Sequence, residues 1–107
     1  MLVEIEHVRQ VPDEGPRRWF VDENMDLIVW YDEKKELIEG FQLCYDKTTV
    51  QRCLTWQKGE GGGRSLLSAD GRYSGKRVLR LFDAAGSGLP EEVRDFVMNN
   101  LSEKIGS

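Results

Sequence analysis

The stretch "DLIVWYDEKKELIEGFQLCYDKTTVQRCLTW", residues 26–56, decides how this chain folds. It gathers two Trp, two Tyr, one Phe and both cysteines of the sequence. Within it, "LIVWY" (27–31), "LIEGFQLCY" (37–45) and "VQRCLTW" (50–56) are rich in β-branched and aromatic side chains, which suit a pleated, half-buried surface. "DEKKE" (32–36) and "DKTT" (46–49) separate them as polar turns. Connections this short cannot carry a parallel crossover, which needs about a dozen residues, so the three strands form an antiparallel meander.

A register follows from the apolar pattern. If Tyr45 pairs with Val50 around the tight turn, Leu43 faces Arg52 and Phe41 faces Leu54. One face then carries Phe41, Leu43, Tyr45, Val50, Leu54 and Trp56, and is the core. The other carries Gly40, Gln42, Cys44, Gln51, Cys53 and Thr55, which are smaller and more polar. A slip by one residue would mix the two sets, because the side-chain period of a strand is two.

Outward from this centre, "LVEIEHVR" (2–9) reads as a strand and "QVPDEGP" (10–16) as a loop. "RRWFV" (17–21) is a short strand, followed by the polar turn "DENMD" (22–26). Residues 57–65, "QKGEGGGRS", form a flexible glycine-rich loop. "LLSADGRYSGKRVLRLF" (66–82) reads as two strands about an Asp70-Gly71 turn, the second centred on Val78 to Phe82. The last element is a helix. Pro90 fits its first turn, where the backbone N–H has no partner, and Glu91 and Glu92 oppose the positive end of the helix dipole. Leu89, Val93, Phe96, Val97 and Leu101 fall on one stripe. Lys104 lies in the last turn with Gly106 behind it. The expected fold is α+β: an antiparallel sheet of about six strands in a meander, with one C-terminal amphipathic helix packed on one face.

A chain of 107 residues, 39% hydrophobic and 32% charged, is expected to make a single domain, 1–107. No apolar run approaches the ~20 residues that span a bilayer, and "MLVEIEHVRQ" lacks the basic-then-apolar pattern of a secretory signal. The expected setting is therefore cytoplasmic. The formal net charge of −4 argues against nucleic acid, whose phosphates are bound by accumulated Lys and Arg. Arg72, Lys76, Arg77 and Arg80 cluster in sequence, but a solvated strand edge accounts for them. A single histidine, His7, and two cysteines fall short of the ~4 ligands of a structural zinc site. No metal, cofactor or catalytic residue is expected.

Four groups remain as candidate sites. Cys44 and Cys53 share a face on neighbouring strands, offset by two residues from direct opposition; they are either a possible thiol pair or two small side chains filling space. The glycine run suggests a phosphate cradle, but its spacing, Arg64 in place of Lys and the lack of a following helix fail the P-loop pattern. Asp26, Asp32, Glu33, Glu36 and Asp46 sit at strand ends, where Asp commonly bonds its own backbone. The aromatic and arginine residues are the best binding candidates. Arg17, Arg18 and Trp19 approach Trp30 and Tyr31 if 17–21 pairs with 27–31, and Trp30 lies across Gly40; the alternative is an ordinary aromatic core with Arg stems lying over it. With Gln42, they have the Trp–Arg composition of a binding surface.

The segments "RRWF", "DLIVWYD", "GFQLCYDK" and "LTW", in this order over residues 17–56, resemble a small family of uncharacterised bacterial proteins. The resemblance implies a bacterial cytoplasmic setting and no particular activity. After residue 58 the chain departs from it, with "GEGGGRSLLSADG" where members carry Ser, His and paired Asp. The function expected is a non-enzymatic interaction or accessory module using Arg17, Arg18, Trp19, Trp30 and Gln42, with a protein partner or self-association, for instance through an exposed edge at 50–56 or at the neighbouring strand. The competing expectation is a small ligand-binding or thiol-dependent enzyme using Cys44 and Cys53.

Overall fold

A computed structural model describes residues 1–6, 10, 15–59, 66–69 and 74–105. Six strands follow one another across a single antiparallel sheet: β1 (Val3–Glu4), β2 (Arg17–Val21), β3 (Met25–Tyr31), β4 (Ile38–Tyr45), β5 (Arg52–Gln57) and β6 (Leu66–Ala69). Every neighbour in space is a neighbour in sequence, so the sheet is the meander that the short connections require. Among the described residues two helices follow, α1 (Gly75–Ala85) and α2 (Glu91–Ile105), joined by a short 3-10 turn at Gly86–Gly88.

The sheet has one dry face. Phe20, Leu27, Leu43 and Leu54 lie in one row across β2 to β5 and are fully buried or nearly so. Val29, Phe41 and Trp56 make the row on one side of it, and Met25 and Tyr45 the row on the other. Val78 and Phe82 of α1 and Val93, Val97 and Leu101 of α2 close over these rows and join the same cluster. Both helices therefore cover the face of Phe41 and Leu43. Phe41 stacks on Trp56, with ring centroids 5.7 Å apart, and Phe96 meets both rings edge-on. Leu2 anchors the N-terminus to the same core, its backbone N–H donating to the Ala85 carbonyl at 2.8 Å.

The tail helix has the predicted form. Pro90 precedes Glu91 and Glu92 in its first turn, and Leu89, Val93, Val97 and Leu101 are buried with Phe96 partly so. Lys104 falls on side chains, and Gly106 on a residue, outside the described set.

Three expectations need correction. The strand expected at Val78 to Phe82 is helix α1. Ser74 caps it, its hydroxyl accepting from the Arg77 N–H at 3.4 Å, and Val78, Leu81, Phe82 and Ala85 repeat at spacings of three and four. The same letters alternate well enough to imitate a strand. Lys76, Arg77 and Arg80 accordingly lie on the solvent side of a helix instead of a strand edge. Second, the β4–β5 register is shifted by two residues: Tyr45 pairs with Arg52, Leu43 with Leu54 and Phe41 with Trp56. An even shift preserves the faces, so the expected segregation survives apart from Val50, which lies in the turn and is 70% exposed. Third, of the strand at 50–56 and its neighbour, the neighbour β6 is the one at an edge; β5 pairs with β4 and β6, and β1 is the other edge. In the loop expected at 57–65, Gln57 belongs to β5. Residues 60–65, the Asp70-Gly71 turn, His7 and Arg72 lie outside the described residues.

Gly40 sits where two strands crowd. It pairs with Trp30, as expected, beside an irregularity that follows at Tyr31 and Ile38. A Cβ at this position would lie 3.0 Å from the Trp56 carbonyl oxygen and 3.7 Å from Cε3 of Trp30. The carbonyl belongs to backbone held in the ladder and cannot swing away. Gly40→Ala is expected to destabilise the fold by about 1–2 kcal/mol, read as a lower urea midpoint at unchanged m-value.

Candidate functional site: the open face of the sheet

The face opposite the helices is covered by no described element. Alternation assigns its members. Trp19, Ile28, Gln42, Thr55 and Ser68 lie in one row from β2 to β6, with Ile5 bonded alongside through its N–H to the Trp19 carbonyl at 2.8 Å. Arg17, Trp30 and Gly40 form the row on one side. Val21, Asp26, Cys44 and Cys53 form the row on the other, reached from β1 by Val3. Trp19, Val21, Ile28 and Trp30 are half-buried, whereas Val3 is 60% and Ile5 37% exposed. Gln42 Nε2 donates to the Thr55 hydroxyl at 3.3 Å, which fixes the polar strip beside the tryptophans. The Trp19 indole N–H is shielded from solvent and has no acceptor among the described residues. Six strands at ~4.8 Å spacing and five residues at ~3.4 Å rise give this face roughly 500 Å².

Arg17, Trp19, Trp30 and Gln42 are thus brought together as expected of neighbours on one side of a sheet. Arg18 is not. It pairs with the buried Val29 and points to the helix side, where its guanidinium grips Glu4 at 2.6 and 2.8 Å and lies 5.2 Å from the centre of the Phe20 ring. Arg18 secures the end of β1 and does not belong to the open face. Sequence reasoning placed Thr55 on this face but missed Ile28 and Val21, although each stands two residues from Trp30 or Trp19 and period two marks them.

The two cysteines are also corrected. Cys44 and Cys53 are directly opposite, not offset, and form a disulfide across β4 and β5 with Cα atoms 4.1 Å apart. That spacing matches the narrow, non-hydrogen-bonded type of antiparallel pair, in which side chains approach most closely. Cys44 is buried and Cys53 half-buried, and neither is a free space-filling thiol. Any thiol chemistry here has to start from reduction of this bond. The bridge closes a loop with a sequence separation of 9, so reduction, or Cys44→Ala with Cys53→Ala, is expected to lower stability by about 2–3 kcal/mol. Denaturation with and without dithiothreitol measures this.

The carboxylates serve the fold. Asp32 Oδ1 accepts from the backbone N–H groups of Glu36 at 2.8 Å and Leu37 at 3.2 Å. Asp46 takes both ends of the Arg77 guanidinium at 2.7 and 2.8 Å, tying α1 to the end of β4. Asp26 pairs with Lys47 at 2.8 Å and Asp83 with Arg94. The Glu36 N–H holds Asp32 below the ordinary carboxylate range, the Arg77 guanidinium does so for Asp46, and Arg18 does so for Glu4. A carboxylate with a depressed folded pKa stabilises the fold above its unfolded value, and that contribution is lost as pH falls through the folded value. Melting temperature is therefore expected to fall from about pH 4 downward, and less steeply in Asp46→Asn. Thermal scans between about pH 6 and pH 2 check this.

Among the described residues no three His, Cys, Asp or Glu side chains converge as a metal-binding group, and no helix is long and apolar enough to cross a membrane. No family model, curated protein or solved structure matches the chain.

Proposed function

We propose that the protein is a non-enzymatic interaction module whose working surface is the open sheet face around Trp19, Ile28 and Trp30. The observation that supports this most is a half-buried aromatic and aliphatic surface, continued by exposed Val3 and Ile5, that no described element covers. Apolar surface rimmed by polar residues marks interaction sites, and Trp and Arg are the residues that carry binding energy in them. The partner proposed is a second copy of the chain, packed sheet on sheet at ~10 Å. Two faces of roughly 500 Å² bury about 1,000 Å² in total, the lower bound of specific association, so the complex is weak and exchanges readily.

The resemblance over residues 17–56 supports a bacterial cytoplasmic setting. There the Cys44–Cys53 bond would be under pressure from cellular reductants, whereas an oxidising compartment would preserve it. The alternative of a thiol-dependent enzyme rests on that bond being opened.

Sedimentation velocity over a range of micromolar concentrations tests the main reading. The wild type is expected to move from monomer toward dimer, and Trp30→Glu to remain monomeric with an unchanged far-UV spectrum. A wild type that is monomeric throughout, or a Trp30→Glu variant that dimerises equally, would count against it.

A further inference from the structure

The disulfide places its two sulfurs on the open face in unlike surroundings. Cys44 has a strand on each side: it faces Asp26 on β3 and Cys53 on β5, and it is 8% exposed. Asp26 is held there by Lys47, whose ammonium donates to Asp26 Oδ1 at 2.8 Å and to the Asp22 carbonyl at 3.1 Å. Cys53 is half-buried. Two places before it, Gln51 is exposed, and its amide nitrogen lies 3.9 Å from the Cys53 sulfur.

The sheet does not need this bond in order to stay paired. Leu43 pairs with Leu54 and Tyr45 with Arg52 on either side of the two cysteines. β4 is paired along its length to β3, and β5 to β6. The buried side chains of Phe41, Leu43, Leu54 and Trp56 lie on the opposite face. The loss expected on reduction, about 2–3 kcal/mol, is smaller than the about 5–15 kcal/mol that typically holds a domain together. The bond can therefore open and close within the folded protein.

Thiol–disulfide exchange begins with a thiolate attacking one of the two sulfurs, and access decides which. A thiolate directed at Cys44 meets the Asp26 carboxylate and the Lys47 side chain that holds it. One directed at Cys53 enters from solvent past Gln51, an exposed side chain that can swing aside. Cys44 is then the leaving group. The Lys47 ammonium offsets the Asp26 charge that would otherwise oppose a second anion beside it.

We propose that Cys53 is a site of modification by a small-molecule thiol. The thiolate attacks Cys53 Sγ and the bond to Cys44 breaks. Its electron pair leaves on Cys44 Sγ, which takes up the proton that the incoming thiol gave to water. The products are a mixed disulfide at Cys53 and a thiol at Cys44, and no further oxidant or reductant enters the step. The assignment rests on the two cysteines and their neighbours, and holds whether or not the open face binds a second copy.

Reduced glutathione serves as the probe. Wild-type protein is treated with it at neutral pH without denaturant, quenched in acid and capped with N-ethylmaleimide. Trypsin cuts after Lys47 and Arg52, so the two cysteines fall in separate peptides for mass analysis. Glutathione is expected on the peptide that begins at Cys53 and maleimide on the Cys44 peptide, in roughly tenfold or greater excess over the reverse arrangement. Single-cysteine variants with oxidised glutathione give a second measurement. Cys44→Ser, which keeps Cys53, is expected to form its adduct roughly tenfold faster than Cys53→Ser, with the two rates converging in urea. An adduct shared equally between the peptides, or favouring Cys44, would overturn the proposal. So would a bond that resists glutathione until urea is added.

Discussion

Phe41→Ala is expected to lower unfolding free energy by about 3–5 kcal/mol, the range for truncating a fully buried aromatic side chain. Phe41 has no exposed surface and is packed on two sides by rings, stacked on Trp56 at 5.7 Å and edge-on to Phe96 at 6.4 Å. Part of the loss is apolar surface returned to water, part is the cavity, and part is aromatic contact at about 0.5–1.5 kcal/mol per pair. The site has little means of collapsing. Trp56 is held in the ladder by its pairing with Phe41 and Leu67, and Phe96 is carried on a helix of 15 residues. A domain with a typical stability of about 5–15 kcal/mol would be left marginal. Urea denaturation followed by far-UV ellipticity measures the change, and a cost under about 1 kcal/mol would contradict the packing described.

Leu27→Asn and Ile28→Asn are adjacent substitutions expected to behave oppositely. Leu27 is fully buried between Phe20 and Leu43. An amide there finds no hydrogen-bond partner and leaves a void, so about 4 kcal/mol or more is lost. Ile28 stands between Trp19 and Gln42 on the open face and is already half-buried at most. Asn at that position forfeits β-propensity and some packing, about 1 kcal/mol, and the domain stays folded. Thermal melts of the two variants side by side give the answer. Equal losses would mean that something covers both faces of β3.

Much of this architecture could be read from the chain because strands of period two and turns of Asp, Lys and Thr leave few alternatives over residues 17–56. The register error shows what such patterns cannot fix. A shift of two residues between β4 and β5 keeps every side chain on its face, so hydrophobic segregation does not distinguish Leu43 opposite Arg52 from Leu43 opposite Leu54. Only the turn decides, and it spans 46–51 instead of 46–49. The same slip concealed the direct opposition of Cys44 and Cys53. Helix α1 was hidden for another reason. Val78, Leu79, Leu81 and Phe82 satisfy both periods, and Ser74 as a cap was the one local signal for the helix.

The candidate surface was half legible for the same cause. Arg17, Trp19, Trp30 and Gln42 share a face because alternation places them there, and alternation equally removes Arg18 to the helix side. The groove lined by Tyr31, Leu37, Ile38 and Phe96 beside α2 was not legible. It forms where Phe96 and Asn100 meet a loop some sixty residues earlier in the chain, and no local pattern carries that meeting.

The concentration dependence of the indole N–H signals of Trp19, Trp30 and Trp56 tests the working surface most directly, since the three report on opposite sides of one sheet. As protein concentration rises through the micromolar range, the Trp30 and Trp19 signals are expected to shift together toward a dimer value while Trp56, beneath α2, holds its position. Movement of Trp56 alone, or no movement of any of the three, would contradict the assignment of the open face as the surface through which this protein associates.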